Sequence, residues 1–283
     1  MIRRLSIVGL GLLGGSVAKA ARAESLAREI IGVGRRRTSL EPAQADGTVD
    51  RITTDLAEGV AGADLVILAT PVATLEAQLP AVWEAAAEGA LITDVGSTKA
   101  RIVRAAEALA ARRPLPFVGG HPMAGSNLSG YAIARADLFR SAIVILTPTD
   151  RSGGVEPVKR LSEFWEAIGG RVVMLDPATH DRAVAAVSHL PHLVADALVA
   201  AVIRMDPQFL EVAARGFKDT TRIAASDPVV WREIFQENRE ALAEALAAFR
   251  LALGELERLL DSGDAASIEA ALGRIRSVRE HIG

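Results

Sequence analysis

The hydrophobic positions in the first part of the chain form short, uninterrupted apolar runs, several of them separated by helix-favouring segments. Such runs are typical of strands that are buried on both faces of a parallel sheet. The first run, Leu5–Val8, is followed by an alanine-rich segment, Val17–Ala27, and by a second run, Glu29–Val33, which together predict a βαβ unit. Further strands are predicted at Leu65–Ala69, Leu91–Asp94, Phe117–Gly119, Ala142–Thr147 and Arg171–Leu175. This alternation indicates an α/β fold with a doubly wound parallel sheet.

After Asp176-Pro177 the pattern changes to the longer period of amphipathic helices, and no further strand is indicated. Long helical stretches are predicted at His180–Met205, Val229–Leu260 and Ala265–His281. We therefore predict an α/β domain over residues 1–176 and an all-helical domain over residues 177–283. The helical stretches carry more apolar surface than three helices can easily bury among themselves, so we expect this domain to form a homodimer. The alternative is a self-contained helical bundle.

Composition narrows the class of protein. Of the 283 residues, 50% are hydrophobic and 24% charged, which is typical of a soluble globular protein, and the net charge of -3 gives no reason to expect nucleic acid as a partner. No uninterrupted apolar stretch of about 20 residues is present, so we expect no membrane span. The N-terminal run MIRRLSIVGLGLLGG fits a strand entering a helix better than a signal peptide. Without cysteine there is no disulfide or thiolate, and we predict a cytoplasmic protein with no metal site.

A glycine-rich turn connects the first strand to the helix that follows it. The residues form the pattern G-x-G-x-x-G, namely Gly9, Leu10, Gly11, Leu12, Leu13 and Gly14. The first glycine permits a tight turn, the second lets the backbone approach a pyrophosphate, and the third allows close packing of helix on strand. Free N–H groups at the start of the helix attract the anion. The motif predicts a Rossmann-type dinucleotide site, and the alternative is a purely structural turn.

The end of the second strand bears on which dinucleotide binds. An NAD-binding fold usually carries Asp or Glu there, whereas this chain has Gly34 followed by Arg35, Arg36 and Arg37. Guanidinium groups can hold a 2′-phosphate through paired hydrogen bonds, and a carboxylate would repel it. We therefore predict NADP in preference to NAD. The alternative is a solvated arginine loop, with NAD bound without its usual acidic partner.

Two loops follow later strands and are expected to face the same crevice, because ligands bind outside the carboxyl ends of parallel strands. One loop contains Thr70 and Pro71, which we assign to the cofactor site. The other contains Ser97 and Lys99, which are expected where the substrate meets the nicotinamide. The alternative for Ser97 and its neighbour Thr98 is to cap the helix that begins at Ala100.

A histidine follows the next strand, in the run GGHPMAGSNLSG. His121 is the one side chain in that run able to titrate near neutrality, and the glycines around it give a ligand access to the backbone. A histidine at this edge can accept a proton from a substrate hydroxyl. His121 is therefore a candidate catalytic base, and the alternative is an ordinary polar residue in a glycine-rich turn.

Several motifs together resemble the TyrA-type prephenate and arogenate (cyclohexadienyl) dehydrogenases. In order along the chain they are GLGLLGGS, ATPV, DVGSTK, GGHPMAGSNLSG, SHLPH and GFKDTTRIAASDPVVW, and the similarity extends from residue 3 to at least Arg239. The resemblance implies oxidative decarboxylation of prephenate to 4-hydroxyphenylpyruvate in tyrosine biosynthesis, with hydride transfer to NAD(P). The alternatives are an NADP-dependent arogenate dehydrogenase that gives tyrosine directly, or a dual-specificity cyclohexadienyl dehydrogenase.

The resemblance also implies roles for individual residues. The family histidine that matches His121 hydrogen-bonds the substrate's 4-hydroxyl and assists its deprotonation, and Ser97 matches a serine that shares this hydroxyl. Arg222 matches the arginine that anchors a substrate carboxylate, although by itself it could simply pair with Asp219 on the same helical turn. The other implied substrate-binding residues are Ser126, His189, Lys218 and Trp231, whereas we expect His192 in a core or interface and His180 and His281 to be structural or exposed.

One departure from the family pattern bears on the substrate. Several prephenate-specific relatives carry Glu at the position of Asn127. Losing that carboxylate alters the charge balance around Arg222, so arogenate, with an ammonium where prephenate has a keto group, stays an alternative while prephenate is predicted first.

Many relatives also carry an ACT or chorismate mutase domain. This chain ends at Gly283, soon after its last helix, so we expect neither, and expect any tyrosine inhibition to act at the active site.

Two other classes of protein stay open. A β-hydroxyacid or imine reductase would share the architecture but would need a catalytic lysine on the first long helix of the second domain, where this chain offers Ser188, His189 and His192. A non-catalytic dinucleotide sensor would bind NADP without turnover and would not require His121.

Overall fold

The fold is built on a single eight-stranded sheet in the order β3-β2-β1-β4-β5-β6-β7-β8. The computed structural model describes residues 1–125, 128–151 and 153–281. The strands are β1 (Ile2–Val8), β2 (Ala27–Val33), β3 (Arg51–Thr53), β4 (Leu65–Leu68), β5 (Leu91–Asp94), β6 (Phe117–Pro122), β7 (Ile143–Thr147) and β8 (Arg171–Met174). The predicted fold class is confirmed. The one missed strand, β3, is a short edge strand with no apolar run to mark it.

One strand pair departs from the predicted parallel arrangement. β6 and β7 pair antiparallel, with Gly120 opposite Leu146 and His121 opposite Ile145. A parallel pair needs a long crossover, usually a helix, whereas the described part of this connection contains only a 3₁₀ turn, Tyr131–Ile133. The sheet is therefore mostly parallel, with a reversal at the strand that carries His121.

Helices cover both faces of this sheet. They are α1 (Leu12–Ala23), α2 (Arg37–Ala45), α3 (Leu56–Val60), α4 (Val72–Ala85), α5 (Ala100–Ala110) and α6 (Val155–Ala167). One core contains Trp165 of α6 and the other contains Trp83 of α4, and both side chains are almost fully buried. Successive residues of a strand contribute to opposite cores, as Ile67 and Leu68 of β4 do, because successive side chains point to opposite faces of the sheet.

α1 begins earlier than predicted. Gly14 and Gly15 are poor helix formers, which made Val17 the expected start, yet both lie inside the helix. A Cβ on Gly14 would lie 1.9 Å from the Gly9 carbonyl oxygen, and one on Gly15 would lie 2.7 Å from the Tyr131 ring. Close packing of the helix against these neighbours therefore requires glycine, and outweighs local propensity.

The remainder of the chain is helical. α7 (Pro177–Val184) and α8 (Leu190–Met205) are joined by a π-helical turn (Ala185–His189), and α9 (Arg215–Thr221), α10 (Pro228–Glu237), α11 (Arg239–Ser262) and α12 (Ala265–Glu280) follow. The Asp176 side chain caps α7 by accepting hydrogen bonds from the N–H groups of Ala178 and Thr179 at 3.1 and 3.0 Å. β8 ends two residues before this cap. The division into two domains at this point stays a prediction.

Large apolar side chains are exposed along these helices. The run Pro177–Met205 has a mean hydropathy of 1.6 over its most apolar window, of which 17% is buried, so by length and composition alone it could cross a membrane. Its middle carries His189 and His192, both buried against other helices of the chain. Exposed apolar side chains continue on α11 and α12 at Leu251, Leu253, Leu260, Leu272, Ile275 and Val278.

Candidate active site

A first cavity, of about 270 Å³, lies at the carboxyl ends of β1, β2 and β4. Gly9 and Gly11 line it. Gly9 has φ +100°, a conformation that favours glycine, and a Cβ there would lie 2.8 Å from the Ala69 carbonyl oxygen. A Cβ on Gly11 would meet no atom within 4 Å, so the backbone at this residue is open to a ligand.

The start of α1 faces this glycine turn. Within the described residues, no side chain caps this helix, since its N-cap residue is Gly11. The first N–H groups, those of Leu12, Leu13 and Gly14, therefore present a partial positive charge at the helix terminus. This is the environment that a pyrophosphate requires, and the residues fit a bound dinucleotide.

Two of the three consecutive arginines line the cavity. Arg35 and Arg36 do so together with Ser39, whereas Arg37 faces its own helix and pairs with Glu41 at 3.6 Å. Thr70 and Pro71 line the opposite side, where the Thr70 hydroxyl donates to Gln78 Oε1 at 3.0 Å. The structure thus gathers these predicted cofactor residues around one cavity.

A second cavity, of about 390 Å³, lies between the ends of β5 and β6 and the helical residues of the 3₁₀ turn Arg222–Ala225 and α10. Ser97 and His121 line its sheet side, and Arg222 and Trp231 line its helical side. These four residues were predicted as site residues from motifs far apart in the chain. The structure therefore brings a candidate base and a candidate carboxylate anchor into the same cavity.

Other predicted site residues lie elsewhere. His189 is buried behind the cavity, where its Nδ1 lies 3.1 Å from Asn238 Nδ2 and its ring faces Trp231 edge-on at 6.1 Å between centres. Lys218 is exposed on α9 and does not line the cavity. Ser126, like Asn127, lies outside the described residues. Substrate-binding roles for His189, Lys218 and Ser126 stay predictions.

The structure rejects two local alternatives considered for these residues. Asp219 pairs with Arg215 at 3.2 Å, and Arg222 has no ion pair in the part of the chain that the structure describes. Ser97 and Thr98 do not cap α5; the carboxylate of Asp181 instead accepts the N–H groups of Lys99 and Ala100 at 2.7 and 2.9 Å. Both Arg222 and Ser97 therefore keep polar atoms for a ligand.

The expectation that Lys99 meets the substrate is wrong. Its side chain is fully buried and forms an ion pair with Asp94, which also accepts the N–H groups of Gly96 at 2.8 Å and Gly120 at 3.2 Å. Burial lowers the pKa of Lys99, although the Asp94 carboxylate opposes this shift. Each buried charge of the pair needs a close partner. Because Asp94 also accepts the Gly120 N–H, it connects the ends of β5 and β6.

His121 lies at the carboxyl end of β6 and is 8% exposed. Its Nδ1 lies 2.9 Å from Nε2 of His180, so His180, which was expected to be structural or exposed, is buried against the candidate base. Burial lowers the pKa of His121 well below the usual 6.5, and His180, Lys99 and His189 add to this effect. His121 is therefore neutral at neutral pH, as a base must be.

Trp231 contacts both the cavity and the helix core. Its ring stacks on His192 with 3.5 Å between centres, and His192 is almost fully buried. The core position expected for His192 is confirmed. The stack fixes the orientation of Trp231, whose ring forms part of the cavity wall.

Comparison with family models covers nearly the whole chain. Residues 17–174 match the model described as prephenate dehydrogenase, nucleotide-binding domain, and residues 176–274 match prephenate dehydrogenase, dimerization domain. The chain belongs to the prephenate dehydrogenase family. The recognition made from its motifs is confirmed.

Individual relatives support this assignment to the family. Prephenate dehydrogenase of Lactococcus lactis is 33% identical over 99% of this chain and 77% of its own length. Cyclohexadienyl dehydrogenase of Zymomonas mobilis is 31% identical over 93% of this chain and 90% of its own length. Among solved structures, Aquifex aeolicus prephenate dehydrogenase, in complex with hydroxyphenyl propionate and NAD+, is 35% identical, with a TM-score of 0.92 over 100% of this chain and 99% of that one.

A more distant likeness concerns the fold alone. 3-Hydroxyisobutyrate dehydrogenase from Salmonella typhimurium is 16% identical with a TM-score of 0.61, covering 88% of each chain. The run from α7 to α8 of this prephenate dehydrogenase family member contains no lysine, so it lacks the residue that the reductase alternative would need there.

Sequence reasoning missed several residues at or near the site. Ser188, on the π-helical turn, lines the second cavity, as do Ser226 and Asp227 ahead of α10. A π-helical turn often marks a functional site, but it leaves no local sequence signature. His180 and Asp181 are the other omissions, and only their packing against β6 and α5 reveals them.

Proposed function

We propose that this chain catalyses the oxidative decarboxylation of prephenate to 4-hydroxyphenylpyruvate, a step of tyrosine biosynthesis, with a nicotinamide dinucleotide as hydride acceptor. The observation that carries the proposal is a single cavity lined by a neutral buried histidine, His121, and by the cationic Arg222. The substrate has a hydroxyl to be deprotonated and carboxylates to be held, so the two groups meet its chemical needs. The names of the relatives support the same reaction.

The residues of the cavity divide the chemistry among them. A bound nicotinamide dinucleotide would supply the acceptor for the hydride of the carbinol carbon. As that hydride leaves, the electron pair of the ring–carboxylate bond enters the ring and carbon dioxide is released. His121 accepts the 4-hydroxyl proton, which offsets the positive charge that builds on the carbinol carbon. His121 returns that proton to the ring oxygen when the ring becomes a phenol, because the overall reaction releases no proton. Ser97 shares the hydroxyl and helps to orient it.

Arg222 binds and orients the substrate. A guanidinium can hold a carboxylate by two parallel hydrogen bonds, which fixes direction as well as distance. It lies on the helical side of the cavity, across from His121. Anchoring one end of the substrate there presents the 4-hydroxyl to His121 at the sheet edge, and Trp231 forms an apolar wall for the ring.

For the cofactor, NADP is proposed in preference to NAD. Arg35, Arg36 and Ser39 line the first cavity at the end of β2, where a dinucleotide would place its adenosine ribose. Neither arginine has a carboxylate partner within residues 1–125, 128–151 and 153–281. Both guanidinium groups are therefore available for a 2′-phosphate, which supports NADP.

Replacing either Arg35 or Arg36 by alanine is expected to raise KM for NADP by about 10- to 100-fold, since each charge-assisted hydrogen bond contributes about 1.5–3 kcal/mol. KM for NAD should change by less than about threefold, because NAD lacks the 2′-phosphate. The matched control is Arg37→Ala, which removes an arginine of the same run that pairs with Glu41 outside the cavity. Steady-state kinetics with each cofactor measure both effects, and equal losses for NADP and NAD would rule out 2′-phosphate recognition.

Arogenate is the second candidate substrate. Synechocystis arogenate dehydrogenase is 30% identical with a TM-score of 0.86, covering 99% of this chain and all of that one, so the same framework occurs in an enzyme named for arogenate. Reduction of NAD and of NADP, each with prephenate and with arogenate, tests the proposal directly. We expect the highest kcat/KM with prephenate and NADP. Absence of turnover in all four combinations would refute the dehydrogenase and favour a dinucleotide sensor.

We further propose that the chain acts as a homodimer through residues 177–283, with residues 1–176 as the dinucleotide-binding domain. The exposed apolar side chains of α8, α11 and α12 exceed what scattered surface positions need. The family model that matches residues 176–274 carries the description "dimerization domain", which supports a dimer through this part of the chain. Burying these side chains against a second copy would remove the apolar surface from water.

A further inference from the structure

A chain of three polar side chains extends from His121 into the protein, away from the cavity. His121 Nδ1 lies 2.9 Å from His180 Nε2, and His180 Nδ1 lies 2.8 Å from Asp181 Oδ1. None of the three residues is more than 8% exposed. His180 and Asp181 lie on α7, whereas His121 lies near the carboxyl end of β6, so the contact joins a helix to the sheet.

The chemistry of these groups determines the direction of each hydrogen bond, beginning at Asp181. Burial alone would raise the pKa of Asp181, but hydrogen bonds from His180 and from the N–H groups of Ala100 and Lys99 bring it below its usual value. Asp181 is therefore an ionised carboxylate, which can only accept hydrogen bonds. Its partner, Nδ1 of His180, must therefore carry a proton and donate a hydrogen bond to Oδ1.

The same reasoning extends to His121. Burial lowers the pKa of His180 despite the opposing hydrogen bond to Asp181, so this ring is neutral, with its one proton on Nδ1. Nε2 of His180 is then an acceptor, and Nδ1 of His121 must be the donor. A neutral His121 with its proton on Nδ1 has a bare Nε2, which has no hydrogen-bond partner in the described part of the chain, while the ring lines the cavity.

We propose that His180 and Asp181 are positioning residues that hold His121 in its Nδ1–H tautomer, so that Nε2 is ready to accept the substrate hydroxyl proton. The inference rests on the proposed function, since that reaction requires a base at His121. Without this hydrogen-bonded relay of His121, His180 and Asp181, His121 can adopt the Nε2–H tautomer. That tautomer presents a donor to the hydroxyl and cannot take its proton. Which nitrogen of a histidine is protonated is set by the partner of the other nitrogen.

Asp181 connects this relay to Ser97, the second candidate for a catalytic role. Its carboxylate accepts the N–H groups of Lys99 and Ala100, directly after the loop that carries Ser97, and its backbone oxygen accepts from Asn238 at 2.7 Å. One carboxylate thus orients the base and anchors the loop of the serine. After proton transfer, Nε2 of His180 can still accept the hydrogen bond of the His121 imidazolium, while Asp181 holds the His180 ring through Nδ1.

The tautomer of His121 can be measured on the unmodified protein. Nitrogen-15 NMR of histidine-labelled enzyme at neutral pH distinguishes a protonated ring nitrogen from a bare one, and the His121→Asn variant identifies the His121 signals by their loss. We expect Nδ1 of His121 to be protonated and Nε2 to be bare. A protonated Nε2 would overturn the proposal, and this readout does not depend on any enzymatic activity.

Two substitutions of His180 separate hydrogen bonding from packing. His180→Leu removes the acceptor and is expected to lower kcat by about 10- to 100-fold, a part of what general base catalysis contributes, with little change in the KM values. His180→Gln supplies a carbonyl oxygen that can accept from His121 Nδ1–H, and is expected to restore most of kcat and the Nδ1–H signal. A purely structural role would lower the melting temperature of both variants and leave the tautomer unchanged.

The outcomes distinguish the relay from the proposed function. If the wild-type enzyme turns over neither prephenate nor arogenate, the proposed function fails, whereas the NMR measurement still reports the tautomer. If the wild type is active and His180→Leu retains kcat within about twofold, or if His180→Gln loses as much as His180→Leu does, the relay is overturned.

Discussion

Replacing His121 by asparagine is expected to lower kcat by about 10²- to 10⁴-fold, the usual contribution of a general base. The asparagine amide is polar and of similar size, so it can hydrogen-bond in the same space, but it cannot take a proton at neutral pH. Cofactor affinity should stay within about threefold, because His121 does not line the cavity of Gly9, Gly11 and the arginines. Steady-state turnover and fluorescence titration with the cofactor measure the two effects separately.

The pH profile of kcat/KM provides the control for this prediction. The pKa of His121 lies well below 6.5 because of burial and neighbouring positive or titratable groups, so the base is neutral above that pKa and is lost as the pH falls through it. We therefore expect the wild-type rate to stay level from neutrality to below pH 6.5, and to fall only under more acidic conditions. The asparagine variant should lack this acidic limb. Turnover close to that of the wild type would exclude His121 as the base.

Replacing Arg222 by alanine is expected to raise KM for prephenate by about 10- to 100-fold, because hydrogen bonds to a charged group contribute about 1.5–3 kcal/mol. The guanidinium lines the cavity and has no ion pair among the described residues, so no internal partner is left unsatisfied by its removal. Arg222→Lys should recover only part of the loss, since an ammonium cannot hold a carboxylate bidentately. Initial rates over a range of prephenate concentrations give KM and kcat.

Arg276→Ala is the matched control for Arg222. This arginine lies on α12 in an exposed ion pair with Glu280 at 2.8 Å, away from both cavities. Its removal should leave KM and kcat close to those of the wild type, because surface ion pairs contribute little. An unchanged KM in Arg222→Ala as well would point to a different carboxylate anchor.

Local pattern was sufficient for elements whose environment is uniform along their length. β4 and β5 are buried on both faces, so an unbroken apolar run identifies them, and β5 was predicted with its observed bounds. Local pattern was insufficient where a distant contact outweighs propensity. The predicted helix Val229–Leu260 is interrupted at Asn238, whose side chain donates to the Asp181 backbone oxygen and contacts His189, and no periodicity in the sequence reports those partners.

The sequence by itself determined that a glycine turn follows the first strand, that a run of arginines ends the second, and that Ser97 and His121 lie at the carboxyl ends of later strands. These conclusions depend on residue type and on the short-range rule that parallel strands present their carboxyl ends at one edge. A motif resemblance supplied the family, which the comparisons confirm.

Only the tertiary structure decided which of these side chains share a space. It turned Lys99 inward to Asp94, brought Arg222 and Trp231 opposite His121, and placed His180 against Nδ1 of His121 although 59 residues separate them in the chain. The physical reason is that such contacts depend on how helices and strands pack, and packing is a sum over many distant pairs. A local period records which face of an element is buried, but not what it is buried against.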